Sequence, residues 1–388
     1  MLSETVAQLK TSFIRDILAA TQQPGVISFA GGLPDTNLFP LDALKAAYLD
    51  MHQRWGGRAY QYGETQGVEP LRRWILDHLV ERPDTPIEQL VITSGTQQGL
   101  DLLARSVLNP GDTVLVEAPS YMGAFQAFTG AGAKIVAVKC DEGGPIIEDL
   151  KLKLSDPSVR LFYTMPNFQN PTGLCYDLER RQQITEQLKR RPKVWLIEDD
   201  PYYALRYSGD MLPSLQSGLP EQSIRLGSFS KIVAPSLRLG WLLGPKELAS
   251  SIVKFKQVTD LHTSCINQFQ LLSFLEQGVM QSHIETLIEA YRLRRDTMVS
   301  SLTEHLPPGA HFERPDGGMF IWLSLPDHMD SSVLFLEAIK ENLAFVPGRA
   351  FFTEEQCSHQ LRLNYTHSSL AEIEQGISLL GKLIKNNI

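Results

Sequence analysis

The chain has 388 residues, more than one hydrophobic core usually supports, so a large domain with a smaller companion is expected. Its 43% hydrophobic and 21% charged residues exclude a disordered or fibrous protein, and a formal charge of −8 with scattered Lys and Arg argues against a nucleic-acid partner. Cys140, Cys175, Cys265 and Cys357 lie far apart with no Cys-x-x-Cys spacing, which disfavours a zinc site or disulfide scaffold and suits a reducing cytoplasm.

In chain order, the stretch from Met1 to Ala20 intersperses Glu4, Lys10, Arg15 and Asp16 among apolar residues and so lacks a signal-peptide core. No apolar run reaches membrane-spanning length, and a soluble, unexported protein is expected. From Leu90 the pattern alternates. A strand Leu90-Val91-Ile92-Thr93 leads through Ser94-Gly95-Thr96 into a helix whose Leu100, Leu103, Ala104, Val107 and Leu108 share one face, ended by Asn109-Pro110-Gly111. Further buried strands are predicted at residues 113–117, 134–138, 161–164, 194–197, 224–226 and 239–243, most separated by helical segments, the signature of a mainly parallel α/β sheet. Ligands of such a sheet bind at its strand ends. Beyond Lys246 helices are predicted at 246–258, 268–277 and 282–305, then a strand at 318–323, a helix at 332–342, a strand at 361–364 and a terminal helix, a second unit of α+β type.

There is no G-x-G-x-x-G fingerprint, no G-x-x-x-x-G-K-[ST] loop and no H-E-x-x-H helix, so simple dinucleotide, P-loop and zincin readings lose support. Candidate residues instead follow the predicted strands. Ser94-Gly95-Thr96-Gln97 opens a helix, where free N–H groups suit an anion or, equally, where Ser or Thr serves only as a cap. Tyr121 could offer an aromatic face or simple packing, and Asn170-Pro171-Thr172-Gly173 reads as a turn. Glu198-Asp199-Asp200 is harder to explain as structure: carboxylates directly after a buried strand repel one another without a cation, and a protonated pyridine nitrogen would serve; the alternative is a solvated acidic loop. Ser228-Phe229-Ser230-Lys231, with Arg238 further on, brings an amine, two hydroxyls and a guanidinium together, a seat for a phosphorylated aldehyde.

Taken in order, these segments resemble the class I/II aminotransferases, pyridoxal-phosphate enzymes of the aspartate aminotransferase fold. The resemblance extends through Ile27-Ser28-Phe29-Ala30-Gly31-Gly32-Leu33-Pro34, Tyr60-Gln61-Tyr62-Gly63 and Leu361-Arg362-Leu363-Asn364, and its wording is similar to the branch containing 2-aminoadipate and kynurenine aminotransferases. It implies an α/β PLP-dependent transferase fold of type I, with residues 1–40 joining the small domain, 41–285 forming the large cofactor-binding domain and 286–388 a small C-terminal α+β domain. It also implies pyridoxal 5'-phosphate bound covalently to Lys231, Asp199 beside the ring nitrogen, Tyr202 and Asn170 on the ring's phenolic oxygen, and Tyr121 stacked on the ring. The phosphate would be held by Thr96, Gln97, Ser228, Ser230 and Arg238, with Tyr62 reaching across from a second subunit, so a homodimer with shared sites is implied.

Arg362 would clamp the substrate carboxylate, with Asn170 and Gly32 alongside. Arg15 matches a position that meets an acidic substrate side chain in aminoadipate-type members, or it is one polar position of an amphipathic helix. The implied reaction moves an amino group from an L-amino acid (aminoadipate-like, aromatic or aliphatic) to a 2-oxo acid such as 2-oxoglutarate by a ping-pong mechanism. Two alternatives share the fold: a β-lyase, decarboxylase or synthase, and the effector-sensing domain of a transcription regulator, which the shortness of the segment before the first motif disfavours.

Overall fold

The computed structural model describes residues 25–354 and 358–387. Its centre is an eight-stranded mixed sheet in the order β2-β9-β8-β7-β6-β3-β4-β5. The strands are β2 (Leu90–Thr93), β3 (Thr113–Ala118), β4 (Lys134–Asp141), β5 (Gly144–Pro145), β6 (Val159–Thr164), β7 (Trp195–Asp199), β8 (Ser223–Ser228) and β9 (Gly240–Leu243). Strands β8, β7, β6, β3 and β4 run parallel, while β9 is antiparallel to both of its neighbours. β2, β8 and β9 are buried along their whole length, as strands covered on both faces must be. The parallel strands are linked through helices that include α3 (Thr96–Val107), α4 (Met122–Gly130) and α6 (Leu178–Lys189); the apolar stripe of α3 buries Leu100, Leu103 and Ala104. α1 (Leu41–Trp55), α2 (Glu69–Leu79) and α5 (Ile147–Leu154) complete this part of the set.

The short helix α7 (Leu215–Gly218) and then α8 (Lys246–Thr259) and α9 (Cys265–Glu276) precede α10 (Met280–His305), a single 26-residue helix. The expected boundary at 285/286 therefore falls inside continuous helix. A four-stranded antiparallel sheet follows, in the order β10-β11-β14-β13, built from β10 (His311–Phe312), β11 (Phe320–Ser324), β13 (Val346–Pro347) and β14 (Gln360–Asn364). α11 (Ser331–Ala338) packs against β13, and α12 (Leu370–Asn386), opened by a reciprocal Ser369–Glu372 capping box, packs on α10 and α11. β1 (Ile27–Ser28) pairs in parallel with β12 (Leu343–Ala344), so the segment that carries Gly31, Gly32 and Leu33 is tied to the C-terminal unit and not to the central sheet. That pairing, with Asn364 N–H donating to the Phe29 carbonyl at 2.8 Å, brings residues 30–33 beside β14 and Arg362.

Candidate active site

The carboxylates of Glu198, Asp199 and Asp200 are all buried, but they do not share one partner. Side chains alternate along β7, and the register pairs Glu198 with Arg225 and Asp199 with Leu226, so Arg225 lies on the Glu198 face. Arg225 Nη2 donates to Asp200 Oδ2 at 2.9 Å, and Asn167 Nδ2 donates to the other oxygen at 2.9 Å. Burial works against the Arg225 charge, but Asp200, Glu198 and Glu81 outweigh it and raise its pKa. Glu198 accepts the backbone N–H groups of Leu215 and Gln216 at 3.1 and 2.9 Å.

Asp199 stands apart on the other face. Its Oδ2 accepts the Tyr163 hydroxyl at 2.8 Å, while its Oδ1 is buried with no hydrogen-bond partner among the described residues. Burial pushes this carboxyl up to about 7, Tyr163 lowering and Asp200 raising it. A cationic N–H arriving at Oδ1 would satisfy the last acceptor and restore the charge. The expectation of a buried cation thus divides: Arg225 serves Asp200 and Glu198, and Asp199 retains an unused acceptor. Arg225 and Tyr163 were missed in the sequence, although an arginine inside the apolar run Ile224-Arg225-Leu226 was itself the signal of a buried acidic partner.

On the next strand, β8 ends at Ser228, whose Oγ accepts the N–H of Ser230 at 3.1 Å and so shapes the turn that carries Lys231. The Lys231 side chain is partly buried and its Nζ donates to the Gly32 carbonyl at 2.6 Å. Burial, then the nearby charges of Arg362 and Arg238, lower the amine to about 8. Gly95 precedes α3 with φ +84°, and a Cβ there would lie 2.8 Å from Arg238 Nη2, so this turn needs glycine. Arg238, itself left-handed at φ 51°, donates to the Ser94 carbonyl at 3.0 Å. No side chain caps α3, which leaves the first N–H groups at Thr96 and Gln97 free for an anion rather than spent on a Ser or Thr cap. Gln97 donates to the Gly123 carbonyl at 2.8 Å and sits 3.4 Å from the Tyr121 hydroxyl, which ties the start of α3 to that ring.

The third corner is Arg362 on β14, which is buried. Its Nη1 donates to Asn170 Oδ1 at 2.8 Å and its Nη2 to the Ala30 carbonyl at 2.6 Å, while Nε is buried without a partner among the described residues. The guanidinium lies 4.3 Å from the Phe320 ring centre and 5.1 Å from that of Phe351, two aromatic walls with no sequence signal beyond their strand and turn positions. Burial lowers this guanidinium to about 10, with Tyr202 and Tyr121 opposing the change. Tyr202 is buried edge-on to Phe320 at 5.8 Å, and a Cβ on Gly32 would meet the same ring at 3.3 Å. A carboxylate reaching this corner finds an unused donor on a desolvated cation.

One predicted residue is not brought in. Tyr62 is 79% exposed with its ring edge-on to His262 at 5.8 Å, and Arg15 lies outside the described residues. Among the described residues no group of His, Cys, Asp or Glu could hold a metal ion.

A lysine amine lowered toward neutrality, a buried carboxylate with one free oxygen on a strand end, and an uncapped helix start beside Arg238 fit pyridoxal phosphate; fold and site together define an enzyme of the aspartate aminotransferase-like fold. The family model of aminotransferase class I and II matches residues 24–380, and the chain belongs to that pyridoxal-phosphate-dependent family, whose substrates are amino acids and oxo acids. It is 36% identical, over 100% of its own length and 94% of the relative's, to aromatic-amino-acid aminotransferase 1 of Thermococcus litoralis. It is 37% identical to the 2-aminoadipate transaminase of Thermus thermophilus, with 97% and 95% of the two chains covered. The crystal structure of Pyrococcus horikoshii kynurenine aminotransferase in complex with PMP superposes with a TM-score of 0.95 at 36% identity, covering 100% of this chain and 98% of that one.

Proposed function

We propose that this aminotransferase moves the amino group of an aminoadipate-like, aromatic or aliphatic L-amino acid to a 2-oxo acid such as 2-oxoglutarate in two half-reactions, the first oxo acid leaving before the second binds. The observation that carries the site assignment is the buried Asp199 Oδ1, which has no hydrogen-bond partner among the described residues. Bound pyridoxal phosphate supplies an electrophilic aldehyde and an electron-withdrawing ring. In this reading the Asp199 carboxylate faces the ring nitrogen, Tyr202 and Asn170 the phenolic oxygen, and Tyr121 the ring face. Thr96, Gln97, Ser228, Ser230 and Arg238 take the phosphate.

Lys231 would hold the cofactor covalently, and its Nζ, when free, would take up the substrate Cα proton and give it up again to complete the amino transfer. Arg362 orients the donor by its carboxylate so that Cα–H lies toward Lys231, with Asn170 and Gly32 completing the corner. The aromatic walls Phe320 and Phe351 keep water from the guanidinium and strengthen that contact.

The test is to give the purified enzyme single amino acids with 2-oxoglutarate and identify the oxo acid formed. Arg362→Leu should lower kcat/KM for every donor by about 100-fold, the worth of charged hydrogen bonds to the carboxylate. Arg15→Ala should instead lower kcat/KM only for glutamate and aminoadipate, leaving leucine unchanged; equal effects on all three would remove the acidic-side-chain role.

Homodimerisation with shared sites is part of the same reading. It is supported by the exposed aromatic ring of Tyr62 and by exposed Leu49, Tyr48 and Tyr60, the last two meeting through their hydroxyls at 3.3 Å. Tyr62→Ala should raise the Kd for pyridoxal phosphate by about tenfold. Mixing Tyr62→Ala with Lys231→Ala chains should return wild-type affinity to a fraction of the sites, because a mixed dimer then holds one intact site; no recovery would place Tyr62 in its own chain's site or in none. A cytoplasmic setting accords with free Cys140, Cys175 and Cys265, and among the described residues no helix is long and apolar enough to cross a membrane. The pairing of β1 with β12 supports grouping the residues before 41 with the C-terminal unit.

A further inference from the structure

We propose that Lys256 is a positioning residue for the phosphate cradle, acting through Gln98 and Asp260 on the Ser94–Gly95 turn; the inference rests on the reading of Thr96, Gln97, Ser228, Ser230 and Arg238 as the phosphate site. Lys256 lies on α8, in none of the strand-end segments, and is 0% exposed. A lysine is almost never this buried unless its ammonium is fully paired. Here Nζ donates to Gln98 Oε1, Asp260 Oδ1 and Asp260 Oδ2, each at 3.0 Å, so all three of its protons have acceptors.

The Gln98 amide is locked by this arrangement. Its oxygen also accepts the Ser94 N–H at 2.8 Å, and its nitrogen donates to Asp260 Oδ2 at 2.6 Å, so turning the amide over would break three bonds. Ser94 Oγ lies 3.4 Å from Asp260 Oδ2 and 3.3 Å from Thr263 Oγ1. On the opposite side, Ser94 offers its carbonyl to Arg238 Nη2 at 3.0 Å. Ser94 is thus gripped at its N–H from the Lys256 side and at its C=O from the Arg238 side. The next residue, Gly95, sets the direction of the uncapped α3 N–H groups.

Lys256 has a second effect through charge. Asp260 is a carboxylate placed behind a site meant for a phosphate, and like charges there weaken anion binding. The ammonium at 3.0 Å from both its oxygens cancels that field. Removing the ammonium both frees the Gln98 amide and exposes the cradle to Asp260. Either consequence falls on the phosphate and not on the pyridine ring.

The experiment compares two probes on full-length enzyme stripped of cofactor: pyridoxal phosphate, and pyridoxal, which lacks the phosphate. Lys256→Met keeps the length of the side chain without its charge, and it should raise the Kd for pyridoxal phosphate by about tenfold while pyridoxal changes by less than about twofold. Gln98→Met removes the amide through which Lys256 acts and should give the same selective loss, which keeps the test open if the Lys256 variant does not fold. Arg238→Gln is the control for the cradle itself. If Arg238→Gln leaves phosphate affinity intact, the cradle reading fails. If Arg238→Gln weakens pyridoxal phosphate selectively but Lys256→Met and Gln98→Met leave both probes unchanged, or weaken both equally, the positioning role of Lys256 is overturned alone.

Discussion

Replacing Lys231 by alanine is expected to lower turnover by at least about 10,000-fold, because one side chain is assigned both the covalent attachment and the proton transfer. Borohydride treatment of loaded wild-type enzyme should add mass to the peptide carrying Lys231, and the variant should show no such addition; labelling elsewhere would defeat the assignment. The geometry adds a pH dependence. Burial and the charges of Arg362 and Arg238 lower the amine from 10.5 to about 8, so below that pH its neutral, nucleophilic form becomes scarce. The rate at which cofactor-free enzyme takes up pyridoxal phosphate should then fall about tenfold per pH unit below 8 and level off above it. The stability of the cofactor-free chain follows the same group. Between about 8 and 10.5 the unfolded lysine holds a proton that the folded one has lost, so this group makes stability rise with pH across that window.

Asp199→Asn is expected to lower kcat by about 100- to 1,000-fold, the range for loss of one preorganised charge facing a reacting group. The substitution nearly preserves shape and leaves Tyr163 in place, so the effect reports charge. Its signature is in binding. Wild-type enzyme should prefer pyridoxal phosphate to an analogue with carbon in place of the ring nitrogen, and Asp199→Asn should bind the two alike; an unchanged preference would remove Asp199 from the ring nitrogen. The sign of the pH effect is opposite to that of Lys231. Burial raises Asp199 from 3.8 to about 7, so across that window the folded cofactor-free chain holds a proton that the unfolded chain has lost, and stability falls as pH rises. A cation at Oδ1 removes this penalty. The gain in Tm on loading with cofactor should therefore be larger at pH 8 than at pH 5.5, and Asp199→Asn should flatten this difference.

Lys231, the Ser228 and Ser230 hydroxyls, the start of α3 and the Glu198-Asp199-Asp200 run were legible as candidates without coordinates, because each follows a strand whose buried, period-two or continuous apolar pattern is local. The helices from α8 to α11 were legible for the same reason, to within a few residues at their ends, where caps and not periodicity decide, and α12 was legible as a terminal helix without bounds. What the residue order does not contain is which of three consecutive carboxylates keeps a free oxygen. The pleat decides that: Arg225 is 25 residues from Asp200 in sequence, and only the register of β7 with β8 puts it on the Glu198 face and leaves Asp199 to Tyr163. Arg362 likewise meets Asn170 and Ala30 across separations of 192 and 332 residues, and Lys256 meets Gln98 across 158. The sequence by itself determined the elements, the cofactor chemistry and the family, since those reside in short patterns at strand ends. Only the tertiary structure decided the pairing of buried charges, because desolvation makes each such charge depend on a partner that the fold, and not the neighbouring sequence, supplies.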